Sequence, residues 1–233
     1  MDVWLHWARG PLFWTGLSFM VLGLVRQVGL TVWGAVRAYR RAGDQNIPSR
    51  QVWKATVSWL MPTGRLRNRW PYSLTTVVLH AGVILVPLFL AGHIALWNAA
   101  LGISWPALPN ALSTALTVAV VAGVLAVIVQ RAASPIARPL SRFQDYALPL
   151  LIAVTFASGF FVMHPTWNPV AFEPMMLTHV LSADLLFFLV PLSKLSHLIL
   201  LPFTQLISEL AWHFPPDAGS KVAVALGKEN EPV

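Results

Sequence analysis

Residues 175–203, MMLTHVLSADLLFFLVPLSKLSHLILLPF, form an apolar stretch that is long enough to cross a lipid bilayer as one helix. The stretch contains two histidines, His179 and His197, which are eighteen residues apart. At about 100° per residue, this spacing completes five turns of an ideal α-helix. The sequence therefore predicts two imidazoles on one face of a single helix, near its opposite ends.

The composition of the whole chain agrees with a membrane location. Of its 233 residues, 56% are hydrophobic and 11% are charged, and the mean hydropathy is +0.64. This composition predicts an all-α membrane protein, because the chain has too few polar residues to cover a water-exposed surface. The absence of cysteine excludes iron–sulfur clusters, covalently attached haem and disulfides within this chain. The formal charge of +7 is interpreted as a topology signal, so no nucleic-acid partner is expected.

Five apolar segments approach the length of about 20 residues that a membrane-spanning helix requires. They cover approximately residues 11–35, 73–97, 109–130, 146–163 and 175–203. The first connection, 36–72, contains eight basic residues and one acid, whereas Glu173 is the one charged residue in the connections 98–108 and 164–174. This asymmetry predicts a five-helix bundle with the N-terminus outside and the C-terminus in the cytoplasm. Residues 1–203 are expected to form the membrane domain, and residues 204–233 a cytoplasmic tail.

Two further patterns concern the membrane interface. Trp97, Trp105 and Trp167 lie near predicted span ends, where tryptophan commonly anchors a helix at the lipid headgroups. Apolar residues between Val52 and Met61 recur at helical spacing, which predicts a short amphipathic helix at the interface or a docking surface for a partner.

Four histidines occupy two of the predicted spans, with His80 and His93 on the second and His179 and His197 on the fifth. A polar ring in hydrocarbon needs a partner, and neutral imidazole is a common axial ligand of haem iron. The predicted topology puts His80 and His197 nearer the cytoplasm, and His93 and His179 nearer the outer face. We therefore expect two bis-histidine haem b groups, one between His80 and His197 and one between His93 and His179.

The second span raises a geometric difficulty for this assignment. The thirteen residues from His80 to His93 leave the two side chains about 220° apart around an ideal helix. Pro87 lies between them and Gly92 precedes the second histidine, so a kink could bring both rings to the required face. His164, at the end of the fourth span, is the reserve ligand if one of the four is misassigned.

Four charged residues near the spans are additional site candidates. Arg26 and Lys194 lie toward the predicted cytoplasmic side, where each either contacts a haem propionate or extends its charge to the interface. Asp184 lies within the fifth span, where it would be protonated, hydrogen-bonded or part of a proton path. Glu173, at the predicted outer mouth, is either a proton acceptor or a solvated loop acid.

The segments LHAGVILVPLFLAGHIALW (79–97) and LTHVLSADLLFFLVPLSKLSHLI (177–199) resemble the gamma-subunit family of respiratory nitrate reductase and its relatives in sulfur-metabolising and hydrogenase-linked complexes. The five-span plan, the Leu24-Val25-Arg26 stretch and the segment before His197 are also similar. The resemblance implies a dihaem cytochrome b of a prokaryotic inner membrane. Such a subunit exchanges electrons between quinone and a cytoplasmic iron–sulfur subunit, to which a further catalytic subunit can attach.

Two departures from nitrate reductase gamma subunits limit this resemblance. The histidines of the second span are farther apart here, and the predicted outer half of the bundle has no lysine where that family has one near its quinone pocket. The resemblance therefore supports the cytochrome more strongly than nitrate as the terminal acceptor. The alternative function is a membrane transporter, or a noncatalytic anchor, whose histidines bind substrate or a transition metal.

Overall fold

The computed structural model describes residues 1–41, 49–60, 70–211 and 218–229. These ranges contain helices, turns and irregular segments, and no strand. The α-helices are α1 (Asp2–Trp7), α2 (Phe13–Arg41), α3 (Ser49–Leu60), α4 (Trp70–Phe89), α5 (Ala91–Leu101), α6 (Asn110–Ala133), α7 (Ala137–Leu140), α8 (Gln144–Met163), α9 (Phe172–Leu189), α10 (His197–Ala211) and α11 (Ala218–Ala225). A π-helical turn, Ala8–Leu12, joins α1 to α2.

Four helical segments in these ranges are long and apolar enough to cross a membrane: Asp2–Arg37, Asn110–Ala133, Gln144–Met163 and Phe172–Leu192. The pair Ser73–Phe89 and Ala91–Leu101 provides a fifth span if its two parts cross together. Large apolar side chains point outward from these helices, as Val129 and Leu150 do with 64% and 54% of their surface exposed. The chain therefore has the all-helical architecture of a multi-pass membrane protein, and the orientation of its termini stays a prediction.

The chain divides into two compact units. The first comprises Met1–Met20 and Thr63–Leu195, and the second comprises Val21–Pro62 and Ser196–Val233. Within the second unit, α3 packs against α10, and Val52 of α3 is buried. The helix expected between Val52 and Met61 is present as far as Leu60, and Met61 lies outside the described residues. Its location at a lipid interface, or its use as a docking surface, stays a prediction. The expected start of the tail, residue 204, falls inside α10.

The core of the first unit lies between α4, α6 and α8. Its buried side chains are Val86, Val120, Val124, Ile152, Ala153 and Phe156. Gly82 of α4 lets α6 approach closely, because a Cβ atom at that position would overlap the side chain of Val120. Small residues at helix contacts are typical of membrane bundles, where close van der Waals packing replaces the hydrophobic effect as the driving force.

The second predicted span is broken close to Pro87, where the sequence suggested a kink. Helix α4 ends at Phe89, Leu90 is extended with φ −71° and ψ 128°, and α5 begins at Ala91. The two parts are bent by 42°. Pro87, which lacks a backbone N–H, lies within the last turn of α4, where it weakens the regular hydrogen-bond ladder.

The prediction of one continuous helix over residues 175–203 is wrong. Helix α9 ends at Leu189, two short 3₁₀ turns follow, and His197 begins the separate helix α10. Pro191 cannot donate a hydrogen bond to the preceding turn, and Ser193 is extended with φ −129° and ψ −177°. The eighteen residues between His179 and His197 are therefore not five turns of one helix, and their spacing does not put the two rings on a common face.

Candidate functional site

The structure brings His93 and His179 together within the first unit. Their ring centres are 6.1 Å apart, and the ring planes are inclined by 12°. His93 follows the helix break on α5, and His179 lies on α9. These are the two residues that the sequence assigned to one haem.

Backbone carbonyl groups orient both imidazole rings. Nδ1 of His93 lies 2.9 Å from the carbonyl oxygen of Pro87, and Nδ1 of His179 lies 2.9 Å from that of Thr155. A carbonyl oxygen accepts, so each Nδ1 carries the proton and donates it. Each Nε2 then presents a lone pair, which is the form of imidazole that binds a metal.

The neighbouring helix α8 makes room for the His179 ring. Gly159 of α8 lies against it, and a Cβ atom there would come within 2.9 Å of the ring atom Cε1. Ser158 of the same helix is buried and donates its hydroxyl to the carbonyls of Val154 and Thr155. The region around the ring is thus closely packed, and its hydroxyl groups are satisfied within their own helix.

An aromatic cluster joins the helices that carry the two histidines. Phe13 contacts Trp97 of α5 and Phe187 of α9 with ring centres 6.5 and 5.6 Å apart, and Trp14 contacts Trp97 at 6.0 Å. Trp97 lies four residues after His93, on the same side of α5. These edge-to-face contacts therefore link α5 to α9, the two helices that carry His93 and His179.

The distance between the two ring centres is close to that of two imidazoles that bind one metal. With metal–imidazole bonds of about 2 Å and about 1 Å from each nitrogen to its ring centre, two rings on opposite sides of one metal have centres about 6 Å apart. The observed 6.1 Å agrees with that value. In the described ranges no group of three or more His, Cys, Asp or Glu side chains converges on a metal-sized site. Two histidines suit haem iron, because the porphyrin supplies the remaining ligands.

His80 and His197 belong to different units. His80 lies on α4, and its Nδ1 donates to the carbonyl oxygen of Thr76 at 2.7 Å, which is the same kind of orientation as for His93 and His179. His197 is the first residue of α10. Their pairing on a second haem stays a prediction.

His164 is bonded in a way that explains its position without a metal. Its Nδ1 donates to the carbonyl oxygen of Phe160 at 2.9 Å, and its Nε2 lies 3.5 Å from the hydroxyl oxygen of Thr114. The ring stacks on that of Phe160 with centres 4.4 Å apart. His164 is thus the C-cap residue of α8.

Lys194 forms an ion pair that the sequence interpretation did not anticipate. Its ammonium donates to both carboxylate oxygens of Asp145, each at 2.7 Å, and the Arg131 guanidinium lies 3.9 Å from one of them. Asp145 also accepts from the backbone N–H of Arg142 at 2.9 Å. The segment after α9 is therefore attached to the start of α8. Arg26 is exposed on α2, and its contact with a propionate stays a prediction.

The two acids differ strongly in environment. Asp184 of α9 is 1% exposed, and within the described part of the chain neither of its carboxylate oxygens has a hydrogen-bond partner. Glu173 is exposed in the first turn of the same helix. Asp184 is thus the acid whose burial lacks a structural explanation, whereas Glu173 is in an ordinary position for a carboxylate at a helix N-terminus.

Three residues of this site were missed by sequence reasoning. Thr155 and Asp145 act through contacts between residues that are far apart in sequence, so neither gave a local signal. Gly159 did give one, because an isolated glycine in an apolar helix often marks close approach of another group. Which group approaches it became visible only in the folded chain.

Comparison with known proteins gives one distant relative. A protein of Nitratidesulfovibrio vulgaris (strain Hildenborough), described only as "Protein", is 28% identical over 196 residues, which cover 82% of this chain and 85% of that protein. No protein-family model matches the chain. No solved structure matches it either.

Proposed function

We propose that this chain is the membrane subunit of a prokaryotic respiratory redox complex. It holds two haem b groups and transfers electrons between membrane quinol or quinone and a cytoplasmic iron–sulfur partner. The observation that carries the proposal is the His93–His179 pair, whose ring separation and carbonyl-oriented Nδ1 atoms suit two axial ligands. The resemblance of the spans to nitrate reductase gamma subunits supports the second haem, the quinone and the partner.

The chain's own residues define what such a site can do. Haem, when bound, supplies reversible one-electron oxidation and reduction at its iron. His93 and His179 provide the imidazoles, and the carbonyls of Pro87 and Thr155 keep each Nε2 available and strengthen it as a donor.

The proposal also includes a second haem site and a path for the quinol protons. His80, oriented by the Thr76 carbonyl, would bind the second haem together with His197. In the proposed topology, with the N-terminus outside, quinol is oxidised near the His93–His179 site and its protons leave on the outer side. Asp184 and Glu173 are the carboxylates proposed to accept them, and the basic connection 36–72 would face the soluble partner.

The test is haem stoichiometry in the purified protein. A reduced-minus-oxidised visible spectrum should show a b-type band with two haems per chain. His179→Ala and His93→Ala should each leave one haem, and so should the double variant, because both residues serve the same site. Combining His179→Ala with His80→Ala should remove both haems.

Three results would contradict this proposal. Wild-type protein without a b-type band would exclude the cytochrome, and one haem per chain would exclude the second site. If the His93/His179 double variant lost both haems while still eluting as a monodisperse, folded protein, the pairing of these two residues would be wrong. Thermal unfolding of each variant in detergent controls for general damage.

A further inference from the structure

Three consecutive carbonyl groups at the break between α4 and α5 accept hydrogen bonds from three different donors. The Pro87 oxygen accepts from Nδ1 of His93 at 2.9 Å, and the Leu88 oxygen accepts from the indole Nε1 of Trp105 at 2.8 Å. The Phe89 oxygen accepts from the backbone N–H of Leu108 at 2.9 Å. The break therefore leaves none of these three carbonyls unpaired, as an apolar environment requires.

A continuous helix would pair the same carbonyls differently. Each would then accept from the backbone N–H four residues later, so Pro87 would bond to Ala91, Leu88 to Gly92 and Phe89 to His93. In the structure, the His93 N–H instead donates to the Leu90 carbonyl at 3.0 Å. The broken and continuous helices are thus alternatives. In a continuous helix, His93 would lie six residues, or about 9 Å along the axis, beyond Pro87, so its ring could not reach the Pro87 carbonyl.

The connection after α5 supplies two of the three donors. Gly102 ends α5 in the left-handed conformation, with φ 70°, which L-residues with a side chain rarely adopt. The chain turns there and returns along α5, and Ser104 and Ala107 line a groove of about 380 Å³ against alanines of that helix. This return brings Trp105 back to Leu88, seventeen residues earlier.

We propose that Trp105 is a positioning residue for His93. By donating its indole N–H to the Leu88 carbonyl, Trp105 stabilises the break, and the break brings the Pro87 carbonyl within reach of the His93 ring. Without that N–H, the Leu88 carbonyl regains a partner most simply when the continuous helix forms and the Gly92 N–H bonds to it. The His93 ring is then too far along the helix to reach the Pro87 carbonyl, and it loses its orientation.

The informative variant is Trp105→Phe, which keeps an aromatic ring for membrane anchoring and removes only the N–H donor. It should lower the haem affinity of the His93–His179 site by about 10-fold, the usual cost of losing a group that orients a metal ligand. The other haem should be retained. Trp167→Phe, at an exposed tryptophan, is the matched control and should bind both haems as the wild type does.

A second readout does not depend on haem. Hydrogen–deuterium exchange of the peptide covering residues 102–109 should be faster in Trp105→Phe, because release of the connection exposes the Leu108 amide. The haem readout rests on the proposed function, whereas the exchange readout does not. If the wild-type protein contained no haem, the proposed function would be refuted. The exchange rate of the Leu108 amide in Trp105→Phe, compared with the wild type, would then decide the role of Trp105.

A rescue variant separates positioning from general damage. Ala91→Pro removes the N–H that would bond to the Pro87 carbonyl in a continuous helix, and proline suits the first position of α5. The extended conformation of Leu90 is the one that a residue before proline prefers. Ala91→Pro combined with Trp105→Phe should restore haem affinity. The proposal would be overturned if Trp105→Phe bound haem and exchanged its amides as the wild type does. It would also be overturned if the folded double variant did not recover haem affinity.

Discussion

The imidazole of His179 lies so close to Gly159 that a Cβ atom on residue 159 would be 2.9 Å from Cε1 and 3.0 Å from Nδ1. Helices α8 and α9 therefore meet at a point where one of them has no side chain. This close approach lets Nδ1 of His179 reach the Thr155 carbonyl one turn earlier on α8. The orientation of a proposed haem ligand thus depends on the absence of a methyl group from the neighbouring helix.

Gly159→Ala should displace the His179 ring and lower haem affinity at that site by about 10-fold, because the orienting bond to the Thr155 carbonyl is lost. Haem content and the spectrum of the remaining haem measure the effect. Gly123→Ala is the matched control, since a Cβ atom there meets Leu79 at an ordinary contact distance of 3.4 Å. Equal haem content in both variants would show that Gly159 is not needed for the site.

His164→Ala should leave both haems in place. Both ring nitrogens of His164 already have neighbours, and the ring stacks on Phe160 at the end of α8. We expect a loss of stability of about 1 kcal/mol from the missing hydrogen bond and stacking contact, measured by thermal unfolding in detergent. If one haem disappeared while the variant remained folded, the reserve assignment of His164 as a ligand would be correct.

Lys194 and Asp145 should be energetically coupled. In a double-mutant cycle with Lys194→Met and Asp145→Asn, we expect a coupling free energy of about 1 kcal/mol, at the upper end for pairs with an exposed partner, because both carboxylate oxygens are bonded. Asparagine keeps an oxygen for the Arg142 N–H. The coupling should decrease with added salt, and a coupling indistinguishable from zero at low salt would contradict the ion pair.

Asp184→Val should increase the free energy of unfolding by about 1–3 kcal/mol, because it removes two buried oxygens that have no hydrogen-bond partner in the described part of the chain. If Asp184 accepts quinol protons, the same variant should slow quinol oxidation. Glu173→Gln is the comparison, and its exposed position predicts a stability change within about 0.5 kcal/mol. Clear destabilisation by Asp184→Val would mean that the carboxyl group has a partner in the folded protein.

Local features of the sequence predicted much of the fold. Runs of apolar residues identified the spans, because a helix needs about 20 such residues to cross hydrocarbon. The break in the second span was also predictable, since Pro87 lies within this apolar run and cannot complete the regular hydrogen bonds. The pattern failed at Pro191, where an apolar run continues through a position that cannot complete the helical hydrogen bonds.

The residue pattern by itself determined that this chain is helical and rich in apolar surface, and that its spans contain histidines. These properties follow from composition and short-range spacing. The tertiary structure decided which groups meet. The contact between His93 and His179, the carbonyls that orient them, the space at Gly159 and the burial of the Asp184 carboxyl group all depend on packing between helices that are far apart in sequence. Helical periodicity fixes the face on which a side chain lies, and only packing fixes what that face contacts.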